Sequence, residues 1–364
     1  MIENQLSITK FQLLFVLIQT QIGIGLLSLP NVVQESAKGD GWLSIIFAGL
    51  VIQVLLVIYW LLFKKFPSDM LTDINRKLLG NIVGRTVNTV VYFYFILTGG
   101  TLTILMVKIL NEQLLPLTPG WVLSFLVIAS SVYLTVSNIR IIARFFVLAS
   151  FWIVVLVGIT LLTVWGPKEI LFILPIGSAG TKNILLGSNS ALLSMLGFEA
   201  LLFLFPFVIR NTKGVLKTAS YANLFVTSFY TFVTFLCLIT FSPEQLQQIR
   251  EPVLFLFRGL SYRLLDRLDF IFLSIWIIPM TSSIIMYLFL ASKSLSSRDK
   301  TYKKTVLVNG IILFGISLVP HTDKITDTLT QFVSYLSYAI VIGLPSILLL
   351  LSFTYKKHEK GEAV

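Results

Sequence analysis

The stretch Gln21–Pro30, QIGIGLLSLP, lies inside a run from Phe11 to Gln34 that carries no charged residue. A run of that length crosses a bilayer as a helix, since roughly 20 apolar residues span a hydrocarbon core about 30 Å thick. Yet two glycines and a proline fall near its centre, where the backbone has no water to bond to. Two readings are open. Glycine is enriched in membrane helices and proline tolerated, so the stretch can be a packing surface with a kink. Alternatively, the helix is interrupted there and freed backbone groups hold a ligand.

The rest of the chain supports a membrane setting. Of its 364 residues 56% are hydrophobic and 12% charged, and the mean hydropathy is +0.89, a balance that a water-soluble domain does not keep. Further charge-free windows run over 41–63, 86–107, 113–139, 145–167, 218–243 and 270–292. Three segments are less clean. Residues 183–209 are interrupted only by Glu199, 305–320 is short, and 325–355 carries Asp327 at its beginning. The expected architecture is an all-α polytopic membrane protein of ten transmembrane helices in a single membrane domain, with the ninth span the weakest.

The formal net charge of +11 does not indicate nucleic acid, because the basic residues sort by side. With a cytoplasmic N-terminus, 19 of the 28 Lys and Arg fall inside, including Lys10, Lys64, Lys65, Arg76, Lys77, Arg140, Arg144, Arg210, Arg298, Lys303, Lys304, Lys356, Lys357 and Lys360. Short loops obey the positive-inside rule, and an even number of spans returns the chain to its starting side. Both termini are expected in the cytoplasm. The opening MIENQLSITK has no basic flank before the apolar run and no cleavage pattern behind it, so the first span is expected to be retained.

Catalytic and metal chemistry find no support. Cys237 is the single cysteine and lies in an apolar span, where it reads as a small buried hydrophobe. His321 and His358 are too far apart to form a cluster, and no phosphate loop, dinucleotide fingerprint or hydrolase nucleophile motif is present. No enzyme activity, cofactor or metal is expected.

Glu199, in ALLSMLGFEALLFLFPFVI, is the acidic residue deepest in a span. An ionised carboxylate in lipid costs several kcal/mol, so it is expected to face the interior. There it either packs as a hydrogen-bonded structural group or holds a proton, a cation, a substrate amine or a water path. Gly197 beside it matches Gly23 and Gly25 five spans earlier. Glycine-bearing interruptions at corresponding places of two halves point to a binding site made by discontinuous helices. The halves are residues 10–166 and 180–353. With five spans each they are oppositely oriented, giving a 5+5 inverted repeat.

QIGIGLLSLP, the charged turn and GWLS after it, the late GFEALLFLFP and the ten-span layout together resemble the B-subunit spore-permease family, the membrane subunits of bacterial spore germinant receptors, within the amino acid–polyamine–organocation superfamily. The resemblance covers essentially the whole chain. It implies a LeuT-like fold with helices 1 and 6 discontinuous, in the inner membrane of a spore. It also implies that the chain senses a small nutrient, often an amino acid, together with A-type and C-type subunits.

On this reading the N–H groups of Gly23, Ile24 and Gly25 receive a substrate carboxylate, helped by the positive end of a half-helix. Glu199, or carbonyls near Gly197 and Phe198, receives the ammonium group. Phe198 is a candidate wall or lid, or one of 29 phenylalanines facing lipid. In VYFYFILTGGT, Tyr94, Thr98 and Thr101 share one helical face, and Tyr94 and Thr98 are candidates for the pocket or a water path. In WIIPMTSSIIM, Thr281 is a pocket candidate, and Ser282 and Ser283 are candidates for an ion site, against the alternative that such hydroxyls bond back to their own helix.

The loop SPEQLQQIREPVLFLFRGLSYRLLDRLD, residues 242–269, opens with a capping pattern at Ser242, Glu244 and Gln245. It reads either as a helix lying at the membrane surface or as an element packed over the pocket. The basic run SKSLSSRDKTYKK reads as a topology anchor attracted to anionic membrane lipid. Three function classes remain: a nutrient-sensing receptor subunit, a proton-coupled or sodium-coupled amino acid permease, and a water or ion conduit used in signalling.

Overall fold

The computed structural model describes residues 7–208, 212–259, 267–295, 299–319 and 322–354. His321, His358, Arg210, Arg298 and the basic residues Lys356, Lys357 and Lys360 lie outside the described residues, as does most of MIENQLSITK.

Among the described residues the regular structure is helical, apart from one parallel bridge between Ile8 and Val208. The first span is two helices, α1 (Lys10–Gln21) and α2 (Gly25–Ala37), followed by α3 (Gly41–Lys65) and the short α4 (Leu71–Leu79). Then come α5 (Asn81–Gln113), α6 (Gly120–Thr135), α7 (Ile139–Leu162) and α8 (Gly180–Ser194). The short α9 (Leu201–Leu204) precedes α10 (Thr212–Thr240). Two short helices, α11 (Pro243–Gln248) and α12 (Pro252–Arg258), lead to α13 (Leu268–Leu295) and α14 (Asp299–Ser317). Finally α15 (Asp323–Ser337) continues through a π-helical turn, Tyr338–Gly343, into α16 (Leu344–Thr354).

Local chemistry explains the ends. Thr9 caps α1: its hydroxyl accepts from the Gln12 N–H at 3.1 Å, and the Gln12 side chain accepts from the Thr9 N–H at 2.9 Å. Lys64 and Lys65 close α3, where cations complement the helix C-terminus. The faces that meet are apolar. α13 lies along α5, α10 along α3 and α1, and α8 along α2 and α3, while Leu50, Val54, Phe125, Leu148, Phe151 and Leu350 stand exposed as a lipid-facing surface.

Among the described residues six helical stretches are long and apolar enough to cross a membrane: Gly25–Lys65, Asn81–Gln113, Ile139–Trp165, Gly214–Thr240, Leu268–Leu295 and Asp323–Thr354. The pair Gly180–Ser194 and Phe198–Phe207, bent by 55°, makes a seventh. The protein is thus a multi-pass membrane protein, but length and composition do not reach the expected ten. The shortfall has physical causes. α1 alone has 12 residues, α6 has 16, and α14 spends its first turns on Asp299, Lys300, Lys303 and Lys304.

Both interruptions are present in the backbone. Ile22 leaves α1 in an extended conformation, and helical bonding resumes with Leu26 N–H to Gly23 O at 3.4 Å and Leu27 N–H to Ile24 O at 3.1 Å. Pro30 lies inside α2, past the break. The second break runs from Met195 to Gly197, whose φ of +126° is a conformation that residues with a Cβ rarely adopt. The two breaks press on each other. A Cβ on Gly25 would overlap the Ser194 carbonyl oxygen, and one on Gly197 would sit 2.5 Å from the Thr20 carbonyl oxygen.

Gly197→Ala therefore meets both a backbone overlap and a backbone strain of about 1–3 kcal/mol. It is expected to lower the melting temperature of the detergent-solubilised protein by several degrees. Gly158→Ala in α7, where a Cβ meets nothing within 4 Å, is expected to leave the melting temperature unchanged or raise it. Equal melting of the two variants would contradict this account of the break.

Candidate functional site

Breaking a helix frees donors and acceptors in a place without water, and the structure treats the two kinds differently. The freed acceptors are taken by side chains of neighbouring helices. Ser283 of α13 donates to Gln19 O at 3.2 Å and Thr20 O at 3.0 Å. Tyr230 of α10 donates to Gln21 O at 2.9 Å, and Trp276 of α13 to Gly23 O at 3.4 Å. Gln21 Nε2 reaches across to Met195 O at 3.4 Å and ties one break to the other. The freed donors are not rejoined to the backbone, and the Gly23 N–H lies beside the Tyr230 hydroxyl. Between Ile22, which bonds to Ile18, and Leu26, which bonds to Gly23, the N–H groups of Gly23, Ile24 and Gly25 make no backbone bond.

Those three residues line a cavity of about 780 Å³. Its deep part is walled by Thr20, Gln21, Thr98, Thr101, Leu196, Ser283 and Tyr287, and its upper part by Leu105, Ile109, Leu193 and Val333. At its mouth stand Lys108 from the end of α5, Arg250 and Glu251 from the turn between α11 and α12, and Asp327 from α15. Such a mixture of apolar wall and a few convergent polar groups is the usual form of a small-molecule site.

Of the residues singled out from the sequence, Gly23, Ile24, Gly25, Thr98 and Ser283 are brought together on this wall. Tyr94, Gly197, Phe198, Glu199, Thr281 and Ser282 lie outside its lining. Phe198 is fully buried and stacks on Tyr59, with ring centroids 6.1 Å apart and planes inclined by 22°. Thr281 and Ser282 bond back to Ile277 O at 2.8 Å and Ile278 O at 2.9 Å, so of this group Ser283 alone reaches the broken helix.

Glu199 is fully buried behind the wall. Its Oε2 accepts the Gly197 N–H at 2.6 Å, replacing a helical bond lost at the break, and its Oε1 accepts the hydroxyls of Tyr94 at 3.1 Å and Tyr287 at 2.7 Å. Three hydrogen bonds offset part of the cost of burying a carboxyl group. Tyr287, Tyr230 and Trp276 were not foreseen from the sequence. A signal for Tyr287 exists, because it lies four residues after Ser283 and so on the same helical face. Among the described residues no group of three His, Cys, Asp or Glu is placed to hold a metal ion.

The mouth is held by ion pairs. Asp323 pairs with Lys108 and, at 2.9 Å, with Arg250, whose guanidinium lies 3.8 Å from Asp327. Ser242 caps α11 reciprocally with Gln245, at 3.3 and 3.0 Å, and α12 buries Val253, Leu254, Leu256 and Phe257 against α13 and α2. Of the described part of the 242–269 loop, Arg250 and Glu251 border the cavity and α12 packs on α13 and α2; residues 260–266 lie outside the described residues. Burial pushes the Glu251 carboxyl above its ordinary range, and Glu112 and Asp323 add to this against the opposing charges of Lys108 and Arg250.

Comparison with known proteins bears on family and fold. A family model described as "Spore germination protein" matches residues 7–326. Spore germination protein YndE of Bacillus subtilis is 26% identical over 97% of this chain and 98% of its own. Spore germination protein A2 of the same organism is 24% identical over 95% of each chain, and spore germination protein GerQB of Bacillus cereus 23% identical over 76% of this chain and 75% of its own. Among solved structures, MhsT in complex with L-phenylalanine superposes with a TM-score of 0.69 at 15% identity, covering 95% of this chain and 89% of that one. At that identity the likeness shows the fold, which is the LeuT-like polytopic helical fold.

Between the ordinary carboxyl range and the raised value of Glu251, the folded protein keeps a proton there that the unfolded chain has released. That contribution to stability is present at low pH and lost as pH rises through the raised value. Glu251→Gln, which holds the neutral form, is expected to melt above the parent at high pH and level with it at acidic pH. A difference that does not change with pH would contradict this sign.

Proposed function

The chain belongs to the spore germination protein family, and on that premise we propose that it is the nutrient-sensing membrane subunit of a spore germinant receptor, holding an amino acid between its two broken helices. One observation carries the reading. Gly23, Ile24 and Gly25, whose N–H groups make no backbone bond, line a cavity at the start of the 13-residue α2. Such groups suit a carboxylate, because they supply hydrogen bonds and the positive end of a helix dipole together. The cavity's size and neutral polar floor suit a small zwitterion, with Gly197, Phe198 and Glu199 shaping the second break rather than touching the ligand.

The architecture we adopt has ten spans, taking α1 with α2 as one, α8 with α9 as another, and counting α6 and α14. Residues 10–166 and 180–353 then form two inverted five-helix halves. Both termini lie in the cytoplasm, the membrane is the inner membrane of the spore, and the cavity opens to its outer side. Binding at the breaks is passed to A-type and C-type receptor subunits in the same membrane.

A carrier reading, an amino acid permease driven by protons or sodium, has its own support. The fold is shared with MhsT, whose structure is described with L-phenylalanine, and Ser283 gathers the carbonyls of Gln19, Thr20 and Pro279 within 3.2 Å, a cluster of oxygens of the kind that holds a coupling ion. The two readings share the binding site and differ in whether the bound molecule then crosses the membrane.

Purified protein is expected to be stabilised by at least one of the twenty common L-amino acids, by roughly 2.7 kcal/mol at about 100 times its Kd. Gly25→Trp, for which there is no room against the Ser194 backbone, forces the two breaks apart and is expected to abolish that shift. In spores, loss of the chain should remove germination by the same amino acid. Concentrative uptake by proteoliposomes would favour the carrier, and absence of any amino acid binding would overturn both.

A further inference from the structure

The site leaves Glu199 unexplained: a carboxylate buried at the second break, close to the cavity but not part of its wall. Its three bonding partners are all placed as donors, the Gly197 N–H at 2.6 Å and the hydroxyls of Tyr94 at 3.1 Å and Tyr287 at 2.7 Å. That arrangement suits the charged form. Of these residues Tyr287 also lines the cavity, while Tyr94 and Gly197 do not. Tyr287 therefore connects the buried charge to the ligand space.

We propose that Tyr287 recognises the amino group of the ligand, its hydroxyl oxygen accepting an N–H from the ligand while its own proton is held by Glu199. The inference rests on the amino acid reading of the site and adds which residue reads the amine. A tyrosine hydroxyl has one proton and acceptor lone pairs. With the proton committed to Glu199 Oε1, the oxygen can act toward the cavity only as an acceptor, and chains of hydrogen bonds ending on a charge strengthen one another. The neighbouring hydroxyls are committed in the same sense. Thr98 donates to Tyr94 O at 2.7 Å and Ser283 to Thr20 O at 3.0 Å. The cavity thus holds a donor set, the N–H groups of Gly23 to Gly25, and an acceptor set, Tyr287, Thr98 and Ser283.

A zwitterion with a free α-amino group satisfies both sets, whereas the same molecule without its amine leaves buried acceptors facing nothing. Glu199 is a positioning residue in this scheme. It fixes the direction of the Tyr287 proton and makes no contact with the ligand.

The test measures binding of the twenty common L-amino acids to the purified full-length protein, and of the desamino acid of each binder, propionate for alanine or succinamate for asparagine. Wild-type protein is expected to bind the amino acid at least ~10-fold more tightly than its desamino counterpart, and Tyr287→Phe to weaken the amino acid by roughly 10–100-fold while leaving the counterpart within about threefold. Glu199→Gln should weaken the amino acid selectively as well, and adding it to Tyr287→Phe should cost little more, since the two act as one unit. Tyr92→Phe removes another buried tyrosine hydroxyl, one that bonds to Asn309 at 3.0 Å away from the cavity, and should leave the ratio of the two affinities unchanged. Equal weakening of both ligands, or no weakening by Tyr287→Phe while Gly25→Trp still abolishes binding, would overturn the role of Tyr287 and leave the site standing. A wild-type protein that binds the desamino acid as well as the amino acid would overturn it even if Tyr287→Phe does not fold. No binding by any amino acid would remove the site reading and this inference together.

Discussion

Two close approaches hold the centre of this molecule together. Gly25 lies against the backbone of Ser194, and Gly197 lies against the backbone of Thr20, so each interruption is seated on the other. Neither position has room for a Cβ, and Gly197 also takes a conformation that glycine alone adopts readily. Because the contact is backbone to backbone, no side chain can be trimmed to relieve it. A helix broken in lipid is normally costly, and here each break supplies the surface that the other needs.

The polar groups released at the first break obey a simple rule. Carbonyls are covered by donors from outside the broken helix, Ser283, Tyr230 and Trp276, while the N–H groups of Gly23, Ile24 and Gly25, residues that line the cavity, make no backbone bond. An unpaired donor in a buried place costs free energy comparable to a lost hydrogen bond. The same donors become binding energy when an anion reaches them. The second break is organised around the carboxyl group of Glu199, which closes the Gly197 N–H and collects two tyrosines. The mouth above is bordered by Arg250 and Glu251 and pinned by the ion pairs of Asp323, so polarity is concentrated at the two ends of the cavity, with Leu105, Ile109, Leu193 and Val333 between them.

How much of this was legible in the sequence depends on the range of the interaction. Glycines in a charge-free run are local signals, and Gly23, Gly25 and Gly197 located both breaks. The capping pattern at Ser242 and Gln245 was legible for the same reason, since capping is decided within three residues. Glu199 was singled out because a lone acid in an apolar run is rare, and its burial is a consequence of that. Its partners were not legible. Tyr94 and Tyr287 lie 105 and 88 residues away from it, and although Tyr94 shares a polar face with Thr98 and Tyr287 one with Ser283, neither pattern points to Glu199. Trp276 and Tyr230 were hidden likewise, because their partners are main-chain carbonyls that any sequence possesses. Thr281 and Ser282 show the opposite case: a run of hydroxyls looked like one feature, yet only Ser283 falls on the face that meets α1.

The central claim is that a small molecule with a carboxylate sits between the two breaks. A structure of the purified protein with the L-amino acid that stabilises it most, at saturating concentration, tests this most directly. The account predicts ligand density against Gly23, Ile24 and Gly25, with the carboxylate about 3 Å from their N–H groups. Density confined to the mouth around Arg250 and Glu251, or a continuous helix through residues 22–24 with the N–H groups rejoined to the chain, would contradict it.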